Sequence, residues 1–318
     1  MSNPFISICI PAYKKVQSLK RLLQSIASQT YTNYEIIITD DSPDDSVTDL
    51  VKTFSATLPI QYFKNNPAAG TPGNWNIAIQ KANGAWIKLM HDDDWFSSPV
   101  TLEKFAATAA ISACSFIFSA CNNIYTSSGK EVPEFLTGWR KDMLEENSLN
   151  LFYLNVIGHP STVMHRKDAT IQYDTQFKWV VDIDFYILFL QKNPGFDYIP
   201  EMLINIGTDD AQLSHSLYKN PHVEVPEYLT MLAKFPASLL MQHEYVFHCV
   251  WNLVKRFRLS DIKMIEELGY NGPLPNHLQS IINYQKAIPR LVIKQPKWSK
   301  IFMKKCFSKI KKNYGLYK

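Results

Sequence analysis

The sequence predicts an α/β protein: a mostly parallel central sheet flanked by helices, with a helical C-terminal region after it. Three observations carry that prediction. Short β-branched runs alternate with segments of helical period over the first hundred residues, each run closes on turn residues, and the last run ends in Asp92, Asp93 and Asp94. Ile6-Ser7-Ile8-Cys9-Ile10, closed by Pro11, reads as a buried parallel strand. Leu19, Leu22, Leu23 and Ile26 then recur at helical spacing. Tyr34 to Thr39 is a second strand, closed by Asp40-Asp41-Ser42-Pro43. Ile60 to Phe63 is a third, and a helix over about 72 to 82 precedes the apolar run Trp86 to Met90. Strand and helix in alternation imply βαβαβ connections with right-handed crossovers. Ligands of such sheets bind beyond the carboxyl ends of the strands. Pro11-Ala12-Tyr13, Asp40-Asp41 and the aspartate triplet therefore gather on one rim.

Core packing gives no reason to place three like charges at Asp92, Asp93 and Asp94. Adjacent carboxylates raise one another's pKa unless a cation shares the site, and Mg²⁺ or Mn²⁺ prefer oxygen ligands of this kind. The competing reading is a helix start: Ser98 and Pro99 resemble an N-cap and first residue, where acids are favoured by the helix dipole. No GxxxxGK[ST] loop is present, so phosphate binding would rest on the metal.

At 318 residues and 46% hydrophobic, the chain is long enough to bury one large core with an appendage. Five scattered cysteines form no metal-binding spacing and suit a reducing cytosol. The first strand begins almost at once and no apolar run reaches the length of a membrane span, so neither signal peptide nor transmembrane helix is expected. Residues 290 to 318 hold ten Lys or Arg and no acid, which leaves −6 for the rest of a chain whose net charge is +4. Trp298, Phe302, Cys306, Ile310 and Tyr314 recur every four residues there, as in a basic amphipathic helix that lies on an anionic leaflet or packs as a terminal helix. A basic tail on a chain with an acidic rim argues against a nucleic-acid partner.

The segments SICIPAYKK, LLQSIASQTYTNYEIIITDDS and NWNIAIQKANGAWIKLMHDDDW, in that order, resemble the nucleotide-binding half of the family 2 glycosyltransferases, which have the GT-A fold. The resemblance covers about residues 5 to 105 closely and extends loosely to about 215. It implies a GT-A domain over 1–218, with a nucleotide-binding half (1–105) and an acceptor half (106–218), then a helical region over 219–318. It implies that Pro11, Ala12 and Tyr13 lie against the nucleobase and that Asp41 accepts a hydrogen bond from it, with Asp40 beside it. It gives Asp92 and Asp94 as ligands of a Mn²⁺ or Mg²⁺ ion that bridges the donor's diphosphate, with Asp93 alongside. His91 stands where the family often has an acid, and is expected to be a structural residue or to support the ligands rather than to be a ligand itself. Asn76 approaches the donor, and Asp182 is the expected general base, with Asp184 the alternative.

Val181 replaces the usual glutamate before Asp182, so the register of the base is open by a residue or two. Gly158 to Thr162 resembles the loop beneath the acceptor, and Asp209 to His215 the segment that closes over the donor. The expected activity is inverting, metal-dependent transfer from a nucleotide-sugar, UDP-linked by preference, to a glycan or lipid-linked acceptor in polysaccharide biosynthesis. The expected place is the cytoplasm, peripheral to the inner face of the cell membrane. The alternative is a catalytically silent nucleotide- or carbohydrate-binding protein of the same fold.

Overall fold

The structure is a computed structural model that describes residues 5–208, 217–275 and 277–313. The chain divides into two compact units, Met1–Glu145 with Val156–Gln212 and Glu146–Asn155 with Leu213–Lys318. The elements of the first part of the chain are β1 (Ile6–Ala12), α1 (Val16–Ala27), β2 (Tyr34–Asp40), α2 (Ser46–Phe54), β3 (Ile60–Lys64), α3 (Gly73–Lys81), β4 (Trp86–Leu89) and β5 (Trp95–Phe96). They continue with α4 (Thr101–Ile111), β6 (Phe116–Tyr125), β7 (Lys130–Glu134), α5 (Trp139–Glu146), β8 (Val163–Arg166), α6 (Val181–Lys192) and β9 (Asp197–Thr208).

The strands form one sheet in the order β3-β2-β1-β4-β8-β6-β9-β5, with β7 on β6. Pairing across β3, β2, β1 and β4 is parallel. Every residue of β1 is buried, as expected of a strand covered on both faces. α1 covers one of those faces with Leu19, Leu22, Leu23 and Ile26, all buried. The return from α3 to β4 needs Gly84: a Cβ there would sit 2.6 Å from Ser7 Oγ, which accepts the Gly84 N–H.

Beyond β4 the sheet is mixed. β8 runs antiparallel between β4 and β6, β9 is parallel to β6 with register shifts over Ser119 to Cys121, and β5 is antiparallel to β9. This folds the end of β9 back onto β5 and the loop that precedes it. Gly207 of β9 thereby comes beside the aspartate triplet.

The second unit contains α7 (Pro221–Ala233), α8 (Ala237–Leu240), α9 (Glu244–Phe257), α10 (Ile262–Glu267), α11 (Leu278–Lys286), α12 (Arg290–Lys294) and α13 (Pro296–Asn313). Asn220 caps α7 by accepting the His222 N–H, and Pro221 fills the first turn, where its missing donor costs nothing. α9 is the hub, burying Phe247, Val250, Trp251 and Val254. Against it α13 turns Met303, Cys306, Phe307 and Ile310, all buried. Phe307 meets Phe247 at 4.9 Å and Ser299 Oγ accepts the Trp251 Nε1–H at 3.0 Å. The apolar stripe anticipated from the sequence is therefore largely helix-packing surface, with Trp298 half-exposed at its start and Tyr314 outside the described residues.

Candidate functional site

Three rim loops of the first unit are tied together by backbone groups that strand ends leave without partners. The Asp41 N–H donates to Ala12 O at 3.0 Å, the Lys14 N–H to Ser42 Oγ at 2.8 Å and the Tyr13 N–H to Asp92 Oδ2 at 3.0 Å. Pro11 and Ala12 are buried at the floor, and Tyr13 presents an exposed ring at the rim.

Asp40 and Asp41 are both buried and well occupied. Asp40 accepts from the Ser42 N–H and from the Tyr62 hydroxyl, and pairs with Lys64 at 3.2 Å. Asp41 accepts from Asn65 Nδ2 at 2.7 Å and from the N–H groups of Ala69 and Gly70 at 3.0 and 2.8 Å. Asp41 therefore shapes the 65–70 loop. Three of the roughly four lone-pair positions of a carboxylate are used, which leaves one acceptor position open. Asn76 is not aimed at this rim: its amide exchanges two hydrogen bonds with the backbone of Tyr173, 97 residues away, at 2.8 and 3.0 Å. It fastens the segment before α6 to α3.

The acidic loop is a tight turn in which the Asp94 N–H donates to His91 O at 3.2 Å. His91 N–H donates in turn to Ser161 Oγ at 2.9 Å, and the Ser161 hydroxyl hydrogen-bonds Asp94. The Gly207 N–H donates to Asp94 Oδ1 at 3.1 Å. A ring nitrogen of His91 and one carboxylate oxygen each of Asp93 and Asp94 lie within 4.8 Å of one another. Asp92 is outside that group, its carboxylate turned to Tyr13.

Electrostatics in the loop follow from burial. Desolvation first, then the neighbouring Asp93 charge, pushes the Asp92 carboxyl up to about 7 and the Asp94 carboxyl well above the usual carboxylate range. Burial also pushes the His91 imidazole down to about 4, which leaves the neutral, ligating form at pH 7. Two cations stand nearby. Lys15 Nζ pairs with Asp93 Oδ2 at 2.6 Å, and Arg21, stacked 3.6 Å over the Trp95 ring, donates to Asp93 O at 3.0 Å.

Residues of this loop fit a divalent ion on two counts observed here. Asp93 and Asp94 supply hard oxygen donors, and the buried Nε2 of His91 has no hydrogen-bond partner among the described residues. Mn²⁺ suits such a set, and Mg²⁺ suits its oxygen part.

Ring contacts lead from this loop to α6. His91 packs on Trp75 (centroids 4.6 Å apart), Trp75 meets the edge of Tyr173 at 5.1 Å, and Tyr173 stacks on Phe185 at 4.1 Å. Asp182, in the first turn of α6, is partly exposed, and its charge adds to the burial that raises the Tyr173 and Tyr186 hydroxyl pKa values. Asp184 is fully buried.

Three participants lay beyond sequence reasoning. Gly207 gives no local signal, because its role depends on β9 folding back. Ser161 lies in the Gly158 to Thr162 loop, and nothing in its local sequence marks it as the partner of His91 and Asp94. Lys88 sits in an apolar strand, fully buried, with its ammonium donating to Ser161 O and to Val163 O at 3.2 Å; desolvation, partly opposed by Asp94, brings it down to about 7. The Asp209 to His215 segment lies outside the described residues. No helix among the described residues is long and apolar enough to cross a membrane.

The sequence model of "Glycosyl transferase family 2" matches residues 7–173. A Rickettsia typhi protein named as an uncharacterized glycosyltransferase is 24% identical over 255 residues, 76% of this chain and 74% of that protein. Escherichia coli WfgD, named a UDP-Glc:alpha-D-GlcNAc-diphosphoundecaprenol beta-1,3-glucosyltransferase, is 29% identical over 104 residues, 32% of this chain and 41% of the relative. For relatives from Haemophilus influenzae and Mycobacterium tuberculosis the match spans 32% and 62% of their lengths, less than two thirds of either. Among solved structures, S. aureus TarS 1–349 in complex with UDP-GlcNAc superposes with a TM-score of 0.59 at 16% identity, over 98% of this chain and 92% of TarS. The mannosyltransferase PcManGT of Pyrobaculum calidifontis, in complex with GDP-Man and Mn²⁺, gives 0.56 at 13% identity, over 98% and 87%. At these identities the likeness is one of fold, and that fold is GT-A.

Proposed function

The chain belongs to glycosyl transferase family 2, and from that premise we propose that it transfers a sugar with inversion from a nucleoside-diphosphate donor, UDP-linked by preference, to a glycan or lipid-linked acceptor in polysaccharide biosynthesis. One observation carries the reading: the convergence of His91, Asp93 and Asp94 on the rim where Tyr13 and Asp41 also lie. Tyr13 offers an exposed ring for a base to stack on, and Asp41 one remaining acceptor position for a base N–H. Asp93 and Asp94, with His91 beside them, would hold a Mn²⁺ or Mg²⁺ ion. When bound, such an ion neutralises charge that develops on a departing diphosphate. Lys15 and Arg21 add positive charge beside the same loop.

Asp182 is the general base in this reading. It is partly exposed and so can reach an acceptor hydroxyl, whereas the buried Asp184 would first have to be uncovered. The lipid-linked acceptor draws on the name of the Escherichia coli relative. The lysine-rich outer face of α13 supports peripheral attachment at the inner face of the cell membrane.

The test is a panel of nucleotide sugars with Mn²⁺, read as slow donor hydrolysis. Hydrolysis with one donor class, lost in Asp94→Asn with the fold intact, supports transfer. Nucleotide binding with no turnover of any donor or acceptor supports the silent binding protein instead, the reading that Val181 keeps open.

A further inference from the structure

The acidic loop is not built from acids alone. His91 opens the turn that Asp94 closes, and the hydrogen bond from Asp94 N–H to His91 O holds the two ends together. The His91 N–H is fixed by Ser161 Oγ, and the ring is held against Trp75 at 4.6 Å. With backbone and ring both located, the imidazole has little freedom to leave the cluster. One of its nitrogens comes within 4.8 Å of a carboxylate oxygen of Asp93 and of Asp94, and its buried Nε2 has no hydrogen-bond partner among the described residues. A buried polar atom without a partner calls for an explanation, an absent ion among them.

We propose that His91 is itself a ligand of the divalent ion, and that the resulting one-nitrogen, two-carboxylate set turns the site away from Mg²⁺ toward first-row transition ions, represented by Mn²⁺. This rests on the functional reading above and adds a donor and a metal preference to it. Carboxylates alone accept Mg²⁺ and Mn²⁺ alike. An imidazole donor suits transition ions, whereas Mg²⁺ keeps to oxygen ligands and water in a near-ideal octahedron. Asp92, the residue most similar in type to its neighbours, is directed to the Tyr13 backbone and is not part of the set. The ion-binding group is therefore not the aspartate triplet but Asp93 and Asp94 with His91, a softer donor standing in the place of Asp92.

The experiment uses the full chain with saturating UDP as the nucleotide probe. Mn²⁺ binding is followed by electron paramagnetic resonance, and Mg²⁺ affinity by competition. Electron spin-echo modulation then reports any imidazole nitrogen on bound Mn²⁺, and ¹⁵N-histidine labelling changes that signature without altering the protein. The expected result is nitrogen modulation that disappears in His91→Gln and persists in His159→Gln. In His91→Asp the Mn²⁺-to-Mg²⁺ affinity ratio should fall by roughly 10- to 100-fold, the scale on which perturbing a metal's ligand environment acts.

Bound Mn²⁺ without imidazole modulation, or a ratio unchanged in His91→Asp, overturns the inference and leaves the transferase reading in place. Failure of the unsubstituted chain to bind Mn²⁺ with UDP present overturns the inference together with the metal-dependent reading. Labelling needs no substitution, so a variant that folds poorly cannot obscure the result.

Discussion

The amide of Gly207 donates to Asp94 Oδ1 at 3.1 Å, joining the last strand of the sheet to the acidic loop across 113 residues of chain. A Cβ at Gly207 would fall well inside contact distance of the Asp93 carbonyl oxygen, so a side chain there cannot be added without moving the loop. The Gly207→Ala variant should retain its sheet while weakening Mn²⁺-dependent UDP binding by about tenfold or more, given what ångström-scale misplacement costs a preorganised site. Isothermal titration beside a thermal melt separates the two effects. Unchanged binding would show that the loop tolerates the displacement.

The two carboxylates of α6 separate in the same manner. Asp182 is partly exposed and Asp184 fully buried, although they are two residues apart. Replacing a general base by its amide removes the proton acceptor and keeps the shape. Asp182→Asn should therefore lower kcat by ~10²–10⁴-fold with little change in donor KM. Asp184→Asn should act first on the melting temperature. Steady-state kinetics with the donor identified by the hydrolysis panel decides between them, and the reverse pattern would move the base to Asp184.

How much of this was legible beforehand depends on the range of each contact. β1, β2 and their rim residues announce themselves because strands covered on both faces must be apolar throughout, and only their ends are free to be polar. The alternation in the first hundred residues therefore specified the parallel half of the sheet and put Tyr13, Asp41 and Asp94 on one side. Asn76 was legible as a helix residue, but its partner is the Tyr173 backbone, and no local pattern reports a bond over 97 residues. The acids at 92 to 94 were visible, but which of them face one another is set by turn geometry and by Ser161. The stripe on α13 was visible too, while the surface it covers, Phe247 and Trp251 of α9, is supplied by a different helix.

Acid sensitivity should come from buried histidines. His277 is buried beside Phe247 (ring centroids 5.8 Å apart), and burial brings it down to about 4 from an ordinary value of 6.5. The folded state then binds fewer protons than the unfolded state between those two values, so stability is complete above about pH 6.5 and falls as pH drops toward 4. A shift of this size corresponds to about 3 kcal/mol once the fall is complete. His165 and His248 are lowered to about 4 by the same cause and act in the same direction. Urea midpoints at pH 7 and pH 4.5 should therefore differ less in His277→Phe than in the unsubstituted protein. An equal difference would show that His277 stays neutral in neither state or finds a partner when charged.

Membrane attachment can be tested only in a way that respects the packing of α13. Deleting residues 297–318 would uncover Phe247 and Trp251, so loss of binding in such a variant would report unfolding. The outward face offers a cleaner handle: Lys297, Lys300 and Lys305 are exposed, as are Trp298 (50%) on the same helix and Leu291 (80%) on α12. Basic residues near an anionic leaflet each add ~1 kcal/mol, and the exposed leucine and tryptophan can enter the interface. The triple variant Lys297→Glu, Lys300→Glu, Lys305→Glu should keep its helical circular dichroism and lose sedimentation with phosphatidylglycerol vesicles. Binding by the unsubstituted chain should decline as salt is raised and be weak on phosphatidylcholine. Equal sedimentation by both proteins would assign those lysines to solvation alone.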